Sequence, residues 1–201
     1  MRASTRREFI AGPAGRIECA VDGPQGAQRG TAVIAHPHPL YGGSLDNKVV
    51  QTLARAFVEH GYEAWRPNMR GVGETEGKHD EGRGELEDLA AVVARLMTTR
   101  TPARLALAGF SFGAALAGQL SKRVSCEKLV LVGLGITRLP VPNVQANTLL
   151  IHGEVDETVP LSAVLDWARP QELPVVLIPG ADHFFNRKLP PLRSVVSDYL
   201  R

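Results

Sequence analysis

The sequence predicts a single α/β domain: a mostly parallel sheet flanked by helices on both faces, with no lid or cap domain. Three observations predict it. Short apolar runs alternate with amphipathic ones from one end to the other, which is the βαβ pattern. No repeat, low-complexity tract or charge block divides the chain. At 201 residues it has the length of one domain, enough to bury roughly two-thirds of its unfolded surface.

Residues 6–11 and 15–22 read as a hairpin around Gly12-Pro13-Ala14-Gly15, followed by a short buried strand over 31–35. The next stretch, His36-Pro37-His38-Pro39-Leu40-Tyr41-Gly42-Gly43, is too rich in Pro and Gly for a helix. Asp46 can cap the helix that follows, with Leu45 and Val50 as its hydrophobic staple, and Val50, Leu53, Phe57 and Val58 share a face until Gly61. A strand over 63–67 leads into a Gly-rich surface loop over 70–84. Leu86, Leu89, Ala90, Val93 and Met97 then carry the spacing of a buried helical stripe that stops before Pro102.

The sheet resumes over 105–108 and runs into Gly109-Phe110-Ser111-Phe112-Gly113 and a small-residue helix (Ala114, Ala115, Ala117, Gly118). Strands over 128–132 and 148–151 follow, separated by a loop with Pro140 and Pro142. A helix over 161–168, a strand over 175–178 and a closing helix ending near Leu200 complete the chain.

Composition excludes several classes of function. A net charge of +2, from 23 Lys+Arg against 21 Asp+Glu, gives no broad field for nucleic acid or anionic membrane. Gly, Pro or charge interrupts every apolar run before about 18 residues, so no transmembrane helix is expected. The 2 cysteines, Cys19 and Cys126, are far apart and form neither a disulfide framework nor a thiolate metal site, which suits a cytoplasmic protein. Ser4-Thr5-Arg6-Arg7-Glu8-Phe9-Ile10 mimics a twin-arginine export signal. Gly12, Pro13, Gly15, Arg16, Glu18 and Asp22 break up the apolar region such a signal needs.

The chemistry concentrates at Gly109-Phe110-Ser111-Phe112-Gly113, a G-x-S-x-G between a strand and a helix. A serine on a sharp strand-to-helix turn lifts its hydroxyl off the sheet, and the flanking glycines let neighbouring backbone pass. A serine hydroxyl is a weak nucleophile near neutral pH and needs a histidine base oriented by a carboxylate. Asp156 and His183 supply these, each just after a predicted strand. Glu154, Glu157 and Asp182 are rivals for the carboxylate. Among the 6 histidines, His60 and His79 lie in polar, solvent-facing segments and His152 braces its own loop.

In the order Ser111, Asp156, His183, with His36-Pro37-His38-Pro39, Gly42-Gly43 and Arg70-Gly71-Val72-Gly73 in place, the chain resembles the α/β-hydrolase superfamily. Within it the chain is similar to the small, lidless, dienelactone-hydrolase-like serine hydrolases. The resemblance covers nearly the whole chain, although dienelactone hydrolases proper carry cysteine where Ser111 stands. It implies a carboxylesterase-like serine hydrolase with no cofactor and no metal.

An oxyanion hole in such a fold uses the N–H after the nucleophile, that of Phe112, and a second N–H from the loop after the 31–35 strand. Pro37 and Pro39 have none, leaving His38, Leu40 or Tyr41, with Leu40 or Tyr41 favoured and the Tyr41 hydroxyl a further donor. The stretch from Ser111 to Asp156 is too short for a cap, and the Pro-interrupted link over 135–146 leaves no room for a helix. An open site favours small-molecule ester substrates.

His36 and His38 form an H-x-H pair, but Pro37 and Pro39 end the strand and no further His, Asp or Glu completes a metal set. Gly71, Gly73 and Gly77 lack the Lys-Ser/Thr of a phosphate loop. The expectation is therefore ester or thioester hydrolysis through an acyl-enzyme, with a rate that rises between about pH 6 and 7 as the base loses its proton. A peptidase or amidase with the same triad, or a ligand-binding protein without turnover, are the alternatives. A homodimer covering the open, apolar mouth is a further expectation.

Overall fold

The computed structural model describes residues 5–99 and 104–201. Ser4 of the export-like stretch and the Pro102 helix stop lie outside the described residues. The hairpin forms as strands β1 (Arg6–Gly12) and β2 (Gly15–Asp22), followed by β3 (Gly30–Ala35), helix α1 (Lys48–Glu59) and β4 (Tyr62–Pro67). Then come α2 (Arg83–Thr99), β5 (Arg104–Phe110), α3 (Phe112–Leu120), β6 (Lys128–Val132), β7 (Leu149–Gly153), α4 (Leu161–Ala168), β8 (Val175–Ile178) and α5 (Leu189–Leu200).

These strands make an 8-stranded sheet in the order β1-β2-β4-β3-β5-β6-β7-β8. The hairpin pairs antiparallel with itself and with β4, and every pairing from β4 to β8 is parallel. Burial on both faces explains why the central strands read as unbroken apolar runs. Successive side chains alternate between two cores. Val33, Leu107, Leu131 and Leu150 face the side covered by α2, α3 and α4, while Ile34, Ala108, Val130 and Ile151 face α1 and α5. Phe57, fully buried from α1, illustrates the scale: truncation to Ala costs about 3–5 kcal/mol.

Three local expectations are corrected. Asn47, not Asp46, caps α1, its Oδ1 accepting from Val49 N–H at 2.9 Å and Val50 N–H at 3.4 Å. Asp46 is drawn instead towards Arg7 and Arg66, 3.6 and 3.8 Å away. On α2 the buried arc is rotated towards Val92 and Leu96, which leaves Met97 44% exposed. The Gly-rich loop ends two residues early, because α2 begins at Arg83.

Between β6 and β7 residues 133–148 contain no helix, as the prolines predict. Among the described residues nothing is inserted above the C-terminal ends of the central strands, where ligands of open α/β sheets bind. Among the described residues no helix is long and apolar enough to cross a membrane.

Candidate active site

The elbow is built by close approach of backbone. A Cβ on Gly113 would lie 2.3 Å from the Ala35 carbonyl oxygen and 2.4 Å from that of His36; one on Gly109 would lie 2.2 Å from the Gly113 oxygen. Only glycine lets α3 start this close to β3 and β5. Between them Ser111 takes φ 55°, ψ −117°, a conformation that costs a non-glycine residue about 1–3 kcal/mol. The surroundings hold it there: Ser111 N–H donates to the Val132 carbonyl at 2.9 Å, and its carbonyl accepts from Gly135 N–H at 3.1 Å.

The structure brings the three residues chosen from sequence together. His183 Nε2 lies 3.0 Å from Ser111 Oγ, and His183 Nδ1 lies 2.7 Å from Asp156 Oδ2. The His183 ring packs against Phe110 at 5.1 Å and Phe184 at 5.3 Å. Gly133, at φ 53°, leaves room beside it, since a Cβ there would lie 3.4 Å from His183 Cε1. Asp156 is buried, and its Oδ1 accepts from Thr158 N–H at 2.9 Å and Val159 N–H at 2.8 Å. Burial by itself would raise the carboxyl, but the His183 hydrogen bond, the Val159 N–H and the nearby imidazoles outweigh it and hold the group below the usual carboxylate range.

The rival carboxylates do other work. Glu154 accepts from Gly180 N–H at 2.7 Å, Asp182 accepts from Asn186 N–H at 2.9 Å, and Glu157 is exposed. His152 is buried with Nε2 3.0 Å from the Val159 carbonyl, bracing the Asp156 loop, and burial lowers its pKa. His36 uses both ring nitrogens, Nε2 accepting from Met69 N–H at 2.9 Å and Nδ1 facing the Pro37 carbonyl at 2.6 Å. Burial pushes its pKa down to about 4, so a neutral His36 ties the end of β3 to the end of β4.

Above the triad lies a cleft of about 310 Å³, lined by His38, Tyr41, Thr137, Arg138, Thr158 and Phe184 among others. Phe112 N–H, at the start of α3, has no hydrogen-bond partner among the described residues. Gly135 keeps it open, since a Cβ there would lie 3.1 Å from that nitrogen.

The second expected donor is corrected: Leu40 N–H donates to His38 Nδ1 at 3.3 Å and Tyr41 N–H to the His38 carbonyl at 3.1 Å, so both are spent inside a 3-10 turn. His38 N–H has no partner among the described residues. His79, expected to face solvent, instead packs its ring 4.8 Å from that of His38 and places Nδ1 2.9 Å from Glu85 Oε1, close enough for an ionic contact but not aligned as a hydrogen bond. Arg138 lines the cleft and His79 backs it through the rings of His38 and Phe112; both arrive through tertiary packing and carry no motif that marks them.

The family model for the alpha/beta hydrolase fold matches residues 38–144. An uncharacterized protein of Rickettsia prowazekii (strain Madrid E) is 31% identical over 96% of this chain and 87% of its own length. An a/b serine hydrolase without lid from Xanthomonas campestris is 36% identical, covering 100% of this chain and 95% of that one with a TM-score of 0.92. An alpha-beta serine hydrolase homologue from Coxiella burnetii is 34% identical, covering 100% of both chains with a TM-score of 0.93.

Proposed function

Since the chain belongs to the alpha/beta hydrolase fold family, we propose that it is a serine hydrolase that cleaves small carboxylic esters, thioesters included, through an acyl-enzyme intermediate. The observation that carries this reading is the unbroken series Ser111 Oγ, His183 Nε2, His183 Nδ1, Asp156 Oδ2, with links of 3.0 and 2.7 Å. Ser111 Oγ attacks the acyl carbon as His183 Nε2 takes its proton. Asp156 keeps the other ring proton on Nδ1 and offsets the charge of the imidazolium. The imidazolium then protonates the leaving oxygen or sulfur. Water, deprotonated by the same nitrogen, releases the acid.

Negative charge on the carbonyl oxygen needs two donors. Phe112 N–H is one. His38 N–H is the other, because the neighbouring Leu40 and Tyr41 N–H groups are already bonded. The small, uncapped cleft supports short acyl groups over long ones. Cys19 and Cys126 are free thiols that form no disulfide, which supports a cytoplasmic setting.

The test is hydrolysis of 4-nitrophenyl acetate, butyrate and octanoate by wild type and Ser111→Ala, with fluorophosphonate labelling of both proteins and an anilide beside the matching ester. Turnover and labelling that vanish with Ser111 and fall from short to long chains support the reading. Faster cleavage of the anilide than of its ester would move it to an amidase.

A further inference from the structure

The loop after β3 closes on His38. Its Nδ1 accepts from Leu40 N–H at 3.3 Å, and its carbonyl accepts from Tyr41 and Gly43 N–H, each at 3.1 Å. A side-chain acceptor closing onto the N–H two residues ahead is the mechanics of an Asx turn, with an imidazole nitrogen in place of an amide oxygen. Pro37 and Pro39 flank His38 and bring no N–H of their own, and the side chain adds a bond to Leu40 N–H that the backbone closure of the turn does not make. The same ring packs 4.7 Å from that of Phe112 and 4.8 Å from those of Tyr41 and His79. Among the described residues the backbone N–H groups of both Phe112 and His38 have no partner, and both residues line the cleft with Ser111.

We propose that the His38 side chain is a positioning residue: by accepting the Leu40 N–H at Nδ1 while packed on Phe112, it holds the His38 N–H in place beside the Phe112 N–H for the developing oxyanion. This rests on the serine-hydrolase reading. The acceptor role requires a neutral ring with its proton on Nε2.

The groups facing the ring are Tyr41 on its own turn, Phe112 on α3, His79 with Glu85 behind it, and Arg138 from the loop after β6. Burial first, then the charges of His79 and Arg138, disfavour a protonated His38, and Glu85 opposes them without prevailing. Acid eventually protonates Nδ1 and turns the acceptor into a donor. Leu40 N–H then has no partner in the turn. The acid limb of the rate should therefore involve two protons, one on His183 and one on His38.

The experiment is steady-state kinetics on 4-nitrophenyl butyrate from pH 4.5 to 8.5 for wild type, His38→Ala and His38→Asn. Asn can accept from the N–H two residues ahead but does not titrate. His38→Ala is expected to lose about tenfold or more in kcat with KM within about twofold, because an oxyanion donor acts in the transition state. His38→Asn should recover most of that loss, and the slope of log kcat in acid should rise above one for wild type while staying near one for His38→Asn.

His38→Ala with wild-type kcat, His38→Asn no better than His38→Ala, or a slope of one in wild type would each overturn the proposal. If His38→Ala does not fold, the difference in acid slope between wild type and His38→Asn still decides. Wild type that neither turns over nor labels with fluorophosphonate sinks the hydrolase reading and this role with it. Normal wild-type turnover with unimpaired His38→Ala sinks the role alone.

Discussion

Val159 holds Asp156 from behind: its N–H donates to Asp156 Oδ1 at 2.8 Å while Asp156 Oδ2 faces His183 Nδ1 at 2.7 Å. The carboxylate therefore needs acceptor oxygens on both sides. In Asp156→Asn the amide NH₂ must meet either the N–H groups of Thr158 and Val159 or the His183 Nδ1–H, and both are donors. If the NH₂ faces His183, the ring proton moves to Nε2, the nitrogen that must accept from Ser111. The expected outcome is a loss of about 10⁴ in kcat with KM little changed, measured on 4-nitrophenyl acetate. A loss under about tenfold would mean that another carboxylate orients His183.

Gly113 packs its Cα against the Ala35 and His36 carbonyls, where a Cβ has no space. Gly113→Ala should therefore push α3 off the sheet and destabilise the fold by about 2–3 kcal/mol or more. Gly42→Ala is the control. Gly42 sits at φ 77° with nothing within 4 Å of a Cβ, so only left-handed strain applies, about 1 kcal/mol. Urea midpoints compare the two, and equal costs would contradict the close-approach account of the elbow.

His36 gives stability a pH dependence of definite sign. Its pKa is depressed in the fold to about 4 from an ordinary value of 6.5, so as pH falls the unfolded chain takes up the proton first. The stability from a neutral His36 is complete above about pH 6.5 and is lost on descending towards pH 4, up to about 3 kcal/mol in all. His36→Gln cannot titrate. Its unfolding free energy should start lower, with the Met69 N–H and Pro37 carbonyl less well served, yet change less between pH 7 and pH 5 than that of wild type. Parallel curves over that interval would refute the assignment.

Legibility in the sequence followed the range of the interactions involved. The strands of the parallel sheet and the helices around it were readable because burial on both faces leaves continuous apolar runs in strands and stripes in helices. The triad was readable because each member follows a strand that the same pattern marks. Two misreadings came from contacts distant in the chain and one from a local turn. Arg7 on β1 and Arg66 on β4 claim Asp46, so the adjacent Asn47 caps α1. The side of α2 that meets the sheet buries Val92 and Leu96 in place of Met97. The Leu40 and Tyr41 N–H groups were unassignable without knowing that the loop closes as a 3-10 turn on His38.

Arg70 and Asp88 anchor the Gly-rich loop to α2 through paired bonds of 2.8 Å, Nε to Oδ2 and Nη2 to Oδ1, with side chains 12% and 5% exposed. The guanidinium also occupies the space over Gly84, where a Cβ would lie 1.9 Å from Nη1. Asp88→Ala leaves Arg70 charged, largely desolvated and without its fork partner. It should destabilise by about 3 kcal/mol, more than the loss of an exposed pair such as Arg83 with Asp80, which water already screens. The loop carries His79, whose ring packs on His38, so its release should also reach the cleft: kcat on the butyrate ester is expected to fall about threefold to tenfold while the Ser111 label still forms. Loss of stability with kcat untouched would confine this ion pair to a structural role and show that the loop after β3 holds its shape without support from His79.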